Sequence, residues 1–140
     1  MEVCMTKEQM KARTQRYALR VIKAVQTLPD NRVANVVGSQ LIRSGTSVGA
    51  NYRAACRAKS TADFVNKLKI VEEECDESLY WMELIVESGL LTQRQLGELM
   101  KESGEILSII VAAIKSSRQN VRVLPGLDVD CKRGALRAGS

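Results

Sequence analysis

Seven cations in this chain have the types and spacing to bind an anion. Arg13, Arg16, Arg20 and Lys23 recur at steps of three and four, which places them on one stripe of a helix. Glu8 is the only acid between residues 7 and 28, so the stripe lacks the i,i+4 carboxylates that normally neutralise helical cations. Arg53, Arg57 and Lys59 follow in a second segment, where no acid lies between Arg43 and Lys59. Guanidinium and ammonium groups left unpaired in this way suit phosphate; the competing reading is a solvated helix face.

Other chemistry is poorly supplied. The run Glu72-Glu73-Glu74-Cys75-Asp76-Glu77 is rich in carboxylate, but a hard cation also needs ligands converging from elsewhere, and none can be named. No metal site is expected, and the run reads as solvated surface or a protein interface. The chain has no histidine, which removes His-dependent triads and Cys/His zinc sites. Four cysteines (Cys4, Cys56, Cys75, Cys131) form no CxxC pair and read as reduced thiols, two of them small residues within helices. With no phosphate loop and no Ser or Cys beside a base, neither an enzyme nor a cofactor is expected. One polar constellation is structural in type. Arg43 and Glu77 can pair across two helices with Asn51 completing the hydrogen bonds, and if buried, loss of either charge would cost about 3–5 kcal/mol.

The elements that must hold these groups are helices. At 140 residues the chain suits one domain, and 45% hydrophobic with only 4% aromatic residues favours helices over a sandwich or barrel. No apolar run approaches the ~20 residues of a membrane span, and the first residues lack a signal-peptide core, so a cytoplasmic protein without membrane contact is expected. The net charge of +5 is unevenly spread. Residues 1–60 hold 11 Lys/Arg against 3 Asp/Glu, residues 61–117 hold 5 against 11, and residues 118–140 hold 5 against 2. Such polarity serves an anionic partner or the chain's own copies.

Thr6 with Gln9 forms a capping box that opens a first helix ending near Leu28, with Tyr17, Ala18, Val21, Ile22, Val25 and Leu28 on its apolar face. Leu28-Pro29-Asp30 turns the chain, and Asp30 or Asn31 caps a second helix running to about Ala58. Its buried stripe is Val33, Val37, Leu41, Val48, Tyr52 and Ala55, beside a ridge of small residues around Gly45 and Gly49 where another backbone can come close. Ser60 caps the third helix, Thr61 to Ser88, which buries Phe64, Leu68, Val71, Cys75, Leu79, Met82 and Ile85. One of Tyr80 and Trp81 must point away from that face. Gly89 stops it, and Thr92 with Gln95 opens the fourth, to about Ser117, with Leu96, Leu99, Met100, Ile106, Leu107, Ile110, Ala113 and Ile114 inward. The expected fold is all-α: an antiparallel up-down-up-down four-helix bundle over 1–117 with a basic, mobile tail over 118–140.

The block RSGTSVGANYRAACRAKSTADFVNKLKIVEEECDESLYWMEL resembles the bacterial four-helix-bundle proteins encoded in intervening sequences of 23S ribosomal RNA genes, a family that also looks related to the accessory variability determinant of diversity-generating retroelements. The matching positions are Arg43, Ser44, Ser47, Val48, Asn51, Ser60, Asp63, Phe64, Glu77 and Leu79. Many members read Asn-Ile-Ala-Glu-Gly where this chain has Asn51-Tyr52-Arg53-Ala54-Ala55, so an acid and a glycine are lost and a cation is gained. The resemblance implies a ring-like homo-oligomer, a pentamer, with a basic surface suited to nucleic acid. The expected function is non-enzymatic binding of RNA or DNA through phosphate and shape, since aromatic residues for base stacking are few. The alternative is a structural or adaptor protein whose charge asymmetry drives self-assembly or binding of a protein partner.

Overall fold

The computed structural model describes residues 5–123, with side chains through residue 119, and a short strand pair beyond. Four helices follow in order: α1 (Lys7–Gln26), α2 (Arg32–Cys56), α3 (Thr61–Glu87) and α4 (Gln93–Val123). Two-residue strands β1 (Val129–Asp130) and β2 (Arg137–Ala138) pair antiparallel, with Val129 opposite Ala138. The helices are antiparallel neighbours, the up-down bundle that the sequence implies.

Local chemistry sets the helix starts. Thr6 accepts from the Gln9 amide while the Gln9 side chain accepts from the Thr6 amide, closing a capping box. Asn31, and not Asp30, caps α2 by accepting from Ala34. Ser60 accepts from the Asp63 amide, and Thr92 forms a second box with Gln95. Gly89 takes a left-handed φ of 82° just past α3, and Leu90 then donates back to the Ile85 carbonyl. α4 does not stop at Ser117 but continues six residues to Val123, because no proline or glycine interrupts the chain before Pro125. Val121 to Val123 are therefore helical. The expectation of a mobile tail falls mostly on residues outside the described set.

α1 and α2 approach closely along the small-residue ridge. A methyl group at Gly45 would lie 2.9 Å from both Val21 γ-carbons, one at Gly49 3.2 Å from Thr14 Oγ1, and one at Gly38 3.0 Å from Leu28. The core runs through Tyr17, Val21, Leu41, Val48, Tyr52, Leu68, Val71, Cys75, Met82, Ile85, Ile106 and Ile110. Val33 is a correction: it is 58% exposed, and Ala34 takes the inward place, in phase with Gly38 and Leu41. Tyr80 points outward and Trp81 lies half-buried, their rings edge to face at 5.2 Å.

The apolar core contains one polar layer. Ser78 of α3 donates to Ser44 of α2 at 3.0 Å, and the Tyr17 hydroxyl of α1 meets Ser103 Oγ of α4 with Ser78 also within reach. Cys75 donates to the Ser103 carbonyl at 3.3 Å. Burial pushes the Tyr17 hydroxyl up to about 12 and the Cys75 thiol up to about 12. Each helix thus contributes one hydroxyl to a single buried layer.

The close approach gives opposite expectations for two glycines. Gly45→Ala gains helix propensity but drives a methyl into Val21, and a net loss of about 1–3 kcal/mol is expected in urea melts. Nothing lies within 4 Å of a methyl at Gly104, so Gly104→Ala should gain up to about 1 kcal/mol.

Candidate nucleic-acid interface

The seven cations separate into one that is spent and six that are free to act. Arg13 does not join the outward stripe. Its Nε and Nη2 donate to the two Glu102 oxygens at 2.8 and 2.7 Å, and Nη2 reaches Glu105 at 2.8 Å. Only 15% of its side chain and 17% of that of Glu102 remain exposed. This fork clamps α1 to α4. The hydrogen bonds that Arg13 donates to Glu102 hold the guanidinium above its ordinary range and the carboxyl below its own. The sequence correctly showed no acid beside Arg13 on its own helix. Glu102 and Glu105 come from α4, 89 and 92 residues away in sequence.

Arg16, Arg20 and Lys23 are exposed, as are Arg53, Arg57 and Lys59. Among the described residues none of the six forms an ion pair. Arg16 and Arg20 lie close enough to Glu102 to help depress its pKa. Arg53 and Arg57 close α2, and the Lys59 amide donates to Asp63 at 3.1 Å, leaving its ammonium free. The structure therefore places the set on two separate surfaces: the flank of α1, and the end of the bundle where α2 stops.

The Arg43–Glu77 pair forms, but it is not the buried device the sequence suggested. Arg43 is 48% exposed and binds Glu77 and Glu74, with Gln40 accepting from its Nε at 3.1 Å. Asn51 takes no part: its side-chain amide donates to the Ser47 carbonyl at 2.8 Å, one turn back along α2. The indole of Trp81 donates to Glu77 at 2.9 Å. The result is a surface network joining α2 to α3.

Among the described residues no group of His, Cys, Asp and Glu could hold a metal ion, and no helix is long and apolar enough to cross a membrane. Cys56 is half-buried and Cys75 buried, both as free thiols; Cys4 and Cys131 lie outside the described residues.

An antiparallel helical bundle with unpaired cations on its surface is the class that fold and geometry define. The pattern of the 23S rRNA-intervening sequence protein family matches residues 7–112, and the chain belongs to that family. It is also similar to a solved structure, a protein of unknown function from the S23 ribosomal protein family of Bacteroides thetaiotaomicron VPI-5482. The two are 36% identical with a TM-score of 0.71, over 76% of this chain and 98% of that one. No curated protein matches.

The clamp and the surface network should separate in mutagenesis. Arg13→Ala should cost about 1.5–3 kcal/mol, since it strands a part-buried carboxylate, whereas Arg43→Ala should cost at most about 1 kcal/mol. Because Glu102 has a lowered pKa in the fold, its contribution is present above the unfolded value of about 4.3. It is lost as pH falls through the lower folded value. Denaturant melts of Glu102→Gln should show reduced stability at neutral pH and a flatter decline in acid; curves parallel to wild type would contradict the clamp.

Proposed function

We propose that the protein is a non-enzymatic nucleic-acid-binding protein that contacts phosphates of RNA or DNA and acts as a ring-like homo-oligomer, with a pentamer as the expected size. The observation that carries this reading is the set of exposed cations, Arg16, Arg20, Lys23, Arg53, Arg57 and Lys59, which lack a carboxylate partner among the described residues. By contrast, Arg13, Arg43, Lys11 and Lys67 each have an acid within ion-pair distance. Cations left over in a folded chain are available to polyanions, and each phosphate contact releases counterions.

The adaptor reading keeps one specific support. Leu19 is 55% exposed between Arg16 and Arg20, while Tyr80 is 50% exposed on the acidic side of α3. Apolar side chains set within opposite charges suit contact between copies.

The test is anisotropy titration of the purified protein with duplex and structured RNA across a salt series, with particle mass read by light scattering. Binding that weakens steeply with salt is expected, with a slope of about −0.9 per phosphate contact on B-form duplex. Affinity indifferent to salt, or no binding, would overturn the reading in favour of a scaffold.

A further inference from the structure

One end of the bundle gathers more cations than the sequence set contained. α1 and α3 begin there, and α2 and α4 end there. Lys7 and Lys11 act on the thiol of Cys56 at the close of α2, and the Lys7 ammonium sits 5.3 Å above the Phe64 ring of α3. Between α3 and α4 a groove of about 440 Å³ is lined by Lys69, Lys115 and Arg118 together with Val111 and Ile114, and Glu72 is its one acid. Lys69, Lys115 and Arg118 are exposed, like Arg53, Arg57 and Lys59 across the same end. None of these six has an ion pair among the described residues. The nearby acids Glu8 and Asp63 are already taken by Lys11 at 3.0 Å and Lys67 at 2.6 Å.

We infer that this end of the bundle is the phosphate-binding surface and that its partner is a nucleic-acid duplex held by its backbone. The inference deepens the nucleic-acid reading above and rests on it. The flank of α1 is the weaker surface by number: it offers three exposed cations, Arg16, Arg20 and Lys23, against six at this end. The choice of a duplex follows from the aromatic residues. Tyr52 and Phe64, the rings nearest this end, are buried, and Phe64 lies beneath Lys7. Without an exposed ring to stack on, unpaired bases gain little, and phosphate contact must carry the binding.

The test uses the full chain and anisotropy with a labelled duplex RNA, the matching duplex DNA, and one strand alone. Three proteins are compared: wild type, Arg57→Glu/Lys115→Glu at the end, and Arg16→Glu/Arg20→Glu on the flank. Circular dichroism checks each fold, and Arg57→Gln/Lys115→Gln replaces the first variant if charge reversal prevents folding. The end variant should lose about tenfold or more in duplex affinity and flatten the salt slope by about 2 units, with less than about threefold lost on the flank. Duplex should bind more tightly than the single strand. A larger or equal loss on the flank overturns the assignment of this surface while leaving the nucleic-acid reading intact. A single strand that binds as tightly, or complete competition by polyglutamate of equal charge, overturns the duplex partner in favour of an unpaired strand or an acidic protein. Failure of wild type to bind any of the three probes removes the nucleic-acid reading itself.

Discussion

The rest of the molecule depends on how near α1 and α2 come to each other. Gly38, Gly45 and Gly49 present no side chain of their own towards α1, and Leu28, Val21 and Thr14 fill the space that β-carbons would need. Interior glycines each cost a helix about 1 kcal/mol relative to alanine, a penalty recovered only if a neighbour packs directly on the backbone. That contact fixes the rotation of α1. With Thr14 and Val21 against α2, Tyr17 turns to the centre and Arg13 turns to α4, while Arg16, Leu19, Arg20 and Lys23 are left facing outward. The charge pattern that the outside world meets is thus a consequence of three absent side chains.

A second constraint works at the same level of the bundle. Ser44, Tyr17, Ser78 and Ser103 each come from a different helix and satisfy one another where water does not reach. A buried hydroxyl without a partner costs about 1–3 kcal/mol, so sliding α1 against α4 by one turn parts Tyr17 from Ser103, while Ser44 and Ser78 keep the Gln40 and Glu74 carbonyls of their own helices. Apolar contacts tolerate such a slide more readily, because Leu and Ile present similar surfaces at successive turns. The layer therefore supplies register where the hydrophobic stripes supply only burial. Arg43, Glu74 and Glu77 add a solvent-facing bracket between α2 and α3, which screening keeps weak.

Features governed by near neighbours could be read from the chain alone. The Thr6–Gln9 and Thr92–Gln95 boxes, the Ser60 cap and the Gly89 stop each need only residues within a few positions, and all four form. The glycine ridge was also visible, since small residues at helical spacing have few other uses. Arg13 was misjudged because its carboxylates arrive from a helix beyond 80 intervening residues. Serine hydroxyls at 44, 78 and 103 gave no signal, as short polar side chains look alike at a surface and in a core. Val33 failed for a subtler reason: valine is the more apolar residue, yet the phase set by Gly38 and Leu41 puts Ala34 inside. The resemblance to the 23S rRNA-intervening sequence family was legible in the α2–α3 block, where capping, packing and the Arg43 bracket coincide, and the family pattern extends over residues 7–112.

Lysine acylation read by mass spectrometry, on the purified protein with and without duplex RNA, tests most directly whether the cations at the bundle end are open to phosphate. Lys59, Lys69 and Lys115 should react readily in the protein alone and become protected when RNA is added. If they resist acylation before any RNA is present, they are already covered and the phosphate surface assigned to this end does not exist.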